Sequence, residues 1–343
     1  MSPLEPALHH RRYDPSLLYL VTLRTCDGRW TLRSDDHDFQ KQIVGALAAA
    51  QSAANIKVYA FTFMSNHYHG LFSADGPEDF AAFLCHFHAA TARLVNKSFG
   101  RTGPMWHPRA HVEAVLPGEA SELTALRYIV LQAANAGTVA HPRDWTGASS
   151  TGWLLDGVPV LGDRIQQTAR TLDARNGRPL GPLADYTEQL AVAMTPLPHL
   201  AHLGADQQRE ILRAVVDAEL GRIPPSVPEN ALHLPDEAVT SELDNQVSRV
   251  PATEAPELAW QNLRESPPPR RRQRSLCIAP SRAAELEYMA TVKEFETSYA
   301  AAKARLRQAA QAAAQGDRAD FVAFPPFGFA AAGRLYLRIS TPQ

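Results

Sequence analysis

The stretch FTFMSNHYHGLF, residues 61–72, decides how the rest of the chain is read. Aromatic and β-branched residues crowd both of its halves, and Ser65-Asn66 between them is a turn signal. Residues 57–64 and 67–72 therefore read as two strands joined by a tight turn. In a strand, residues i and i+2 share a face. His67 and His69 stand side by side on one face, and Tyr68 points the other way. This spacing lets two imidazoles reach one metal ion. It is equally what two histidines on a half-exposed strand look like, because two ligands do not make a site. His86 and His88 have the same spacing but fall in a helical pattern, where i and i+2 face different directions.

Outward from this pair, strands alternate with helices. LLYLVTLRT (17–25) is a strand, and Asp27-Gly28 after it is a hairpin signal, which makes RWTLR the expected return arm. Residues 38–55 have helical spacing and strong helix formers. Residues 76–100 open on Gly-Pro-Glu-Asp, with proline near the first helical position and acids in the first turn, and close on Gly100. Residues 104–115 are extended, and 118–137 are a helix ending at Gly137. The order is βαββαβ-like, an α+β fold with one antiparallel sheet.

Composition narrows the class. The chain has 343 residues, 45% of them hydrophobic and 20% charged, which supports a real core and not a disordered chain. No apolar run approaches the roughly 18 residues that span a bilayer, and residues 1–15 show no secretory h-region, so a cytoplasmic protein without a membrane partner is expected. Three scattered cysteines suggest neither a disulfide framework nor a thiolate zinc site. The net charge of −2 argues against coating nucleic acid by charge alone. Any grip on nucleic acid must come from a few placed cations.

A metal on two histidines needs a third ligand. In LRYIVLQAANAG (126–137), Tyr128 and Gln132 are four apart and share a helical face. Gln132 offers an amide oxygen to a cation, and Tyr128 offers a hydroxyl nucleophile. The bland alternative is a core tyrosine and an exposed glutamine.

FTFMSNHYHGLF, GPMWHPRAHV and LRYIVLQAANAG, in this order, resemble the REP-associated tyrosine transposases of the single-strand HUH transposase superfamily. The resemblance covers about residues 17–157. His-x-His and Tyr-x-x-x-Gln are each weak signals. Together, with 59 residues from His69 to Tyr128 and matching flanks, they are specific. The resemblance implies a ferredoxin-like antiparallel sheet with helices (the HUH endonuclease fold). It makes His67, His69 and Gln132 the ligands of a divalent Mg²⁺ or Mn²⁺ ion and Tyr128 the nucleophile. It makes Arg24 and Arg109 phosphate contacts. The implied activity is cleavage and transfer of single-stranded DNA beside a hairpin, a REP-like palindrome, through a 5′-phosphotyrosine, in a bacterial, nucleoid-associated protein. It allows a homodimer that exchanges the tyrosine helix. Ser65 replaces the family's usual proline, and Val130-Leu131-Gln132 replaces the commoner His-Leu-Asn.

A hairpin groove also needs cations and stacking aromatics. Arg101, Trp106 and the run Arg270, Arg271, Arg272, Arg274 are candidates; the run reads equally as a solvated linker, and Trp106 equally as core. No Gly-rich ATP loop is present. Other functions fit parts of the pattern: a catalytically weak hairpin-binding or regulatory protein that keeps the fold, a hydrolase that activates water on the histidines, or a relaxase with the same chemistry.

The second half changes character. Residues 158–343 carry 18 of the 26 prolines. The expected division is a catalytic domain (1–157), a helical, Pro-rich extension (158–265), and a basic linker, long helix and aromatic-proline tail (266–343). The long helix, about 281–315, places Tyr288, Val292, Phe295, Tyr299, Ala302 and Leu306 on an apolar seam that docks on the chain or on a partner helix. FVAFPPFGF (321–329) is expected to pack on a surface.

Overall fold

The computed structural model describes residues 13–221 and 277–314. Arg270, Arg271, Arg272, Arg274, the 321–329 tail and the side chain of Leu306 lie outside the described residues. Strand β1 (Leu18–Arg24) leads through helix α1 (His37–Ala54) to β2 (Ile56–Phe63) and β3 (His67–Ala74). Helix α2 (Pro77–Ser98), β4 (His111–Val115) and helix α3 (Glu119–Val130) follow. The sheet order is β2-β3-β1-β4, with neighbours antiparallel, which is the ferredoxin-like arrangement. A two-residue strand β7 (Cys277–Ile278) adds parallel to β4 at the far edge.

Alternation along the strands builds two cores. Tyr19, Val21 and Leu23 of β1 and Tyr68 and Phe72 of β3 face α1 and α2, where Phe39, Ile43, Phe80, Phe83 and Phe87 meet them. Leu18, Leu20 and Leu71 face the other way, onto Leu126 and Ile129 of α3. A register shift in β2 between Val58 and Ala60 sends Tyr59 and Ala60 to the second core and Val58 and Phe61 to the first. Helices thus cover both faces of the sheet.

Local signals explain the boundaries. The Asp36 carboxylate accepts from Phe39 N at 3.0 Å and caps α1, and Asn55 ends it in the left-handed region at φ 45°. Pro77 sits at the start of α2. The expected return arm is a correction. Asp27 and Gly28 do turn, at φ 59° and 66°, but residues 29–33 form no strand. Both edges of β1 are taken by β3 and β4, and Leu32 is drawn into the core, its N–H donating to Ser65 O.

Residues 158–221 share both cores with those before them. Helix α4 (Gln132–Asn135) and helix α5 (Thr151–Asp156) precede a hairpin of β5 (Leu161–Ile165) and β6 (Thr187–Ala191), with helix α6 (Gln167–Arg175) between its strands. Val192 enters the first core. Helix α7 (Ala205–Leu220) sends Leu212 and Val216 into the second. Gln51 at the end of α1 brackets Ala193, donating to its carbonyl at 2.8 Å and accepting from its N–H at 2.9 Å. Residues 148–150 line the free edge of β2, with Phe63 N donating to Ala148 O and Ser150 N to Phe61 O. Helix α8 (Arg282–Ala314) buries Phe295, Tyr299 and Ala302 of the expected seam, and Tyr288 packs against the first core. Among the described residues no helix is long and apolar enough to cross a membrane.

At Gly162 and Gly45 the hairpin meets α1 backbone against backbone. A Cβ on Gly162 would press on Gly45 N, Val44 C and Lys41 O, none of which can swing aside. Gly162→Ala is expected to cost about 1–3 kcal/mol, the usual cost of overpacking. Urea denaturation measures the loss, and faster proteolysis between β5 and β6 would locate it.

Candidate active site

The polar face begins where the second core ends. On the α3 side of the sheet, β1 runs Leu18, Leu20, Thr22, Arg24, apolar at one end and polar at the other. Cross-strand register sets Thr22 opposite His69, Arg24 opposite His67, and His111 opposite Thr22. The polar ends of three strands therefore meet. Helix α3 packs its Leu126 and Ile129 over the apolar part and carries Tyr128 beyond it. The helix breaks at Leu131 (φ −85°, ψ 4°), and Gln132 opens the short α4.

Four of the expected residues come together. The rings of His67 and His69 are 4.9 Å apart and nearly perpendicular, at 84°. The Tyr128 ring is 4.9 Å from that of His69, edge to face. The Gln132 side chain lies close enough to His67 and Tyr128 to act on the charge of both. Tyr128 is 45% exposed, unlike the buried Tyr68. Tyr68, between the histidines, is fully buried on the opposite face, stacked on Phe63 and bonded to His88 Nε2 at 2.6 Å.

The imidazole partners are defined. His67 Nδ1 lies 2.6 Å from Asn66 Oδ1, and His69 Nδ1 lies 2.7 Å from Thr22 Oγ1. Neither partner was singled out in the sequence: Asn66 read as a turn residue and Thr22 as one more β-former. Alternation with Arg24 is the signal that places Thr22 on the histidine face.

Both histidines are held neutral. Burial first, then the Arg24 charge, lowers the pKa of His67 to about 4. Burial, then His67 and Arg24, lowers that of His69 to about 3. Neutral imidazole is the form that binds a metal. Burial pushes the Tyr128 phenol up, and Glu113 adds to this, while Arg24 and Gln132 pull it down. Among the described residues no group of three or more His, Cys, Asp or Glu gathers as a metal cluster. A metal here would take two imidazoles and one amide oxygen, a neutral set that fits a hard or borderline divalent ion completing its shell with substrate oxygens.

A pH effect follows. His88 is also lowered to about 4, by burial. Below an ordinary pKa of about 6.5 the unfolded chain protonates these three imidazoles and the native protein does not, so the unfolded state binds more protons and stability falls as pH falls. The loss should begin near pH 6.5 and level off near the folded values of about 4, 3 and 4. Each imidazole contributes up to about 1.4 kcal/mol per pH unit within its window. Urea midpoints at pH 7, 6 and 5 check this, and His88→Gln should flatten the slope.

The other expected DNA contacts divide. Arg24 is exposed and beside the histidines. Arg109 is exposed on the loop before β4. That loop is tied to the end of β1 by His107 N to Arg24 O and Cys26 N to Met105 O, both 2.8 Å, so Arg109 and Arg24 belong to the same end of the sheet. Arg101 is half-exposed and donates to Pro104 O at 3.2 Å. Trp106 is a correction. It is 8% exposed, its ring packs on Tyr68 and His88, and its N–H donates to His88 O and Thr91 Oγ1. Packing of this kind leaves no open face for a base.

No protein-family model matches the sequence, and no curated protein does. The solved structures similar to the chain include two transposases. One is a REP-associated tyrosine transposase bound to a REP hairpin, with 17% identity and a TM-score of 0.34, over 53% of this chain and 90% of that one. The other is a candidate transposase from Deinococcus radiodurans R1, with 18% identity and a TM-score of 0.25, over 34% of this chain and 92% of that one. In both cases the shared part covers nearly all of the solved chain and about half or less of this one.

Proposed function

We propose that the protein is a metal-dependent single-stranded DNA endonuclease and strand transferase that works beside DNA hairpins through a 5′-phosphotyrosine on Tyr128. The observation that carries this reading is the convergence of His67 and His69 from β3 with Tyr128 and Gln132 from the α3–α4 segment, far apart in sequence. In the proposed reaction the Tyr128 oxygen attacks a backbone phosphorus and forms a phosphotyrosine, and the 3′-oxygen leaves as a hydroxyl. The phosphodiester energy is kept in the new bond, so rejoining needs no nucleotide. Mg²⁺ or Mn²⁺ held by His67, His69 and Gln132 would neutralise charge on the scissile phosphate and orient it for in-line attack. Arg24 adds positive charge at the same point and favours the phenolate. Arg109 extends that charge along a strand. The hairpin element of the substrate rests on the motif resemblance.

The rival that uses the same histidines is a hydrolase activating water. The exposure of Tyr128 beside His69 favours the tyrosine. Pooled hairpin oligonucleotides with single-stranded flanks, incubated with Mn²⁺ or with EDTA, test the reading. Metal-dependent cutting of one flank is expected. Hairpin binding without cutting under any metal would leave a binding or regulatory protein instead.

A further inference from the structure

We propose that Asn66 and Thr22 are positioning residues for the two imidazoles, and that each holds its histidine with Nδ1 occupied and Nε2 presented to the ion. The inference rests on the metal-site reading above. A neutral imidazole carries one N–H, and the bond made by one nitrogen decides what the other can do. At His67 the assignment is fixed by a second bond. Asn66 Nδ2 donates to Gly28 O at 3.1 Å, which orients the amide with Oδ1 toward the ring. An amide oxygen only accepts, so His67 Nδ1 carries the proton and Nε2 keeps its lone pair. The Asn66 backbone is pinned as well: its carbonyl accepts from Thr25 N at 2.9 Å and from Thr25 Oγ1 at 3.1 Å.

At His69 the partner sits on a different strand. Thr22 Oγ1 occupies Nδ1 at 2.7 Å from the register position directly opposite. Nε2 is the nitrogen left for an ion, and lone-pair donation there requires the proton at Nδ1, with the hydroxyl accepting. The two anchors thus come from a turn and from a neighbouring strand. They hold two nearly perpendicular rings in one relative orientation before any metal arrives. Outer partners of this kind characteristically change metal affinity by about 10–100-fold when removed.

The test uses the full chain. Long-range ¹H–¹⁵N spectra of the metal-free protein, labelled at histidine, read each tautomer directly, and electron paramagnetic resonance of free Mn²⁺ reads affinity. The wild type should show Nδ1–H tautomers at His67 and His69 and Mn²⁺ binding that His67→Ala removes. Asn66→Ala should move the His67 proton toward Nε2 and weaken Mn²⁺ binding by about 10–100-fold. Asn66→Asp keeps the acceptor and should retain tautomer and affinity. Thr22→Val should do to His69 what Asn66→Ala does to His67, with Thr22→Ser as its rescue. Unchanged tautomers and affinity in Asn66→Ala and Thr22→Val, against a wild type that binds through His67, would overturn the proposal and leave the metal site standing. A wild type that binds no Mn²⁺ through His67 would overturn the metal site and the proposal together.

Discussion

Tyr128→Phe is expected to abolish DNA cleavage while leaving hairpin binding and the fold in place. The substitution removes one oxygen. The ring of Tyr128 lies edge to face with His69 at 4.9 Å, and phenylalanine keeps that contact. Tyr128 is 45% exposed and Gln132 is half-buried, so the Gln132 amide that loses the hydroxyl can turn to water, and stability should change by less than about 0.5 kcal/mol. The loss of activity should be of the size seen when a nucleophile is removed, a factor of at least about 10³. Mn²⁺ affinity should be kept within about threefold, because the imidazoles and Gln132 are untouched. Cutting that persists at a comparable rate in Tyr128→Phe would favour a water nucleophile.

Phe87→Ala is expected to have the largest effect on stability. Phe87 is fully buried on α2 and touches the rings of Phe63 at 5.8 Å, Tyr68 at 5.5 Å, Phe83 at 5.9 Å and His88 at 5.7 Å. Removing it leaves a cavity directly beneath the strand that carries both histidines. The cost should be about 3–5 kcal/mol, against a total stability of about 5–15 kcal/mol. Chemical denaturation measures it. A loss below about 1 kcal/mol would mean that α2 does not pack on β3 through this ring.

The histidine strand was legible in the sequence because its alternation is strict. Period two put His67 and His69 on one face and Tyr68 on the other, and the cross-strand register shows the same division. The βαββαβ order was legible because each helix carries its own start and stop chemistry, such as Asp36, Asn55 and Pro77. The return arm after Gly28 was misread because a turn signal says that the chain reverses, not which strand edge is free. Trp106 was left between core and stacking platform because an aromatic beside cations looks the same in sequence whether it stacks on a base or on Tyr68 and His88. Thr22 and the anchors of α3 were invisible because each acts across a large sequence separation, and Asn66, although next to His67, is oriented by a Gly28 carbonyl 38 residues away. Glu122, buried in the first turn of α3, accepts from His199 N at 3.1 Å and pairs with His199 Nδ1 at 2.7 Å. Arg127, next to Tyr128, pairs with Glu219 of α7 at 2.6 Å. Both contacts tie the helix that carries Tyr128 to residues beyond 157, so the first part of the extension helps to set where that helix lies.

The most direct measurement is to trap the protein with a single-stranded oligonucleotide flanking a hairpin, in Mn²⁺, and to map the covalent adduct by peptide mass spectrometry. The account predicts a 5′-phosphate-linked DNA fragment on the peptide that contains Tyr128, absent in Tyr128→Phe and in His67→Ala. Cleaved DNA with no adduct, or an adduct on any other residue, would contradict it.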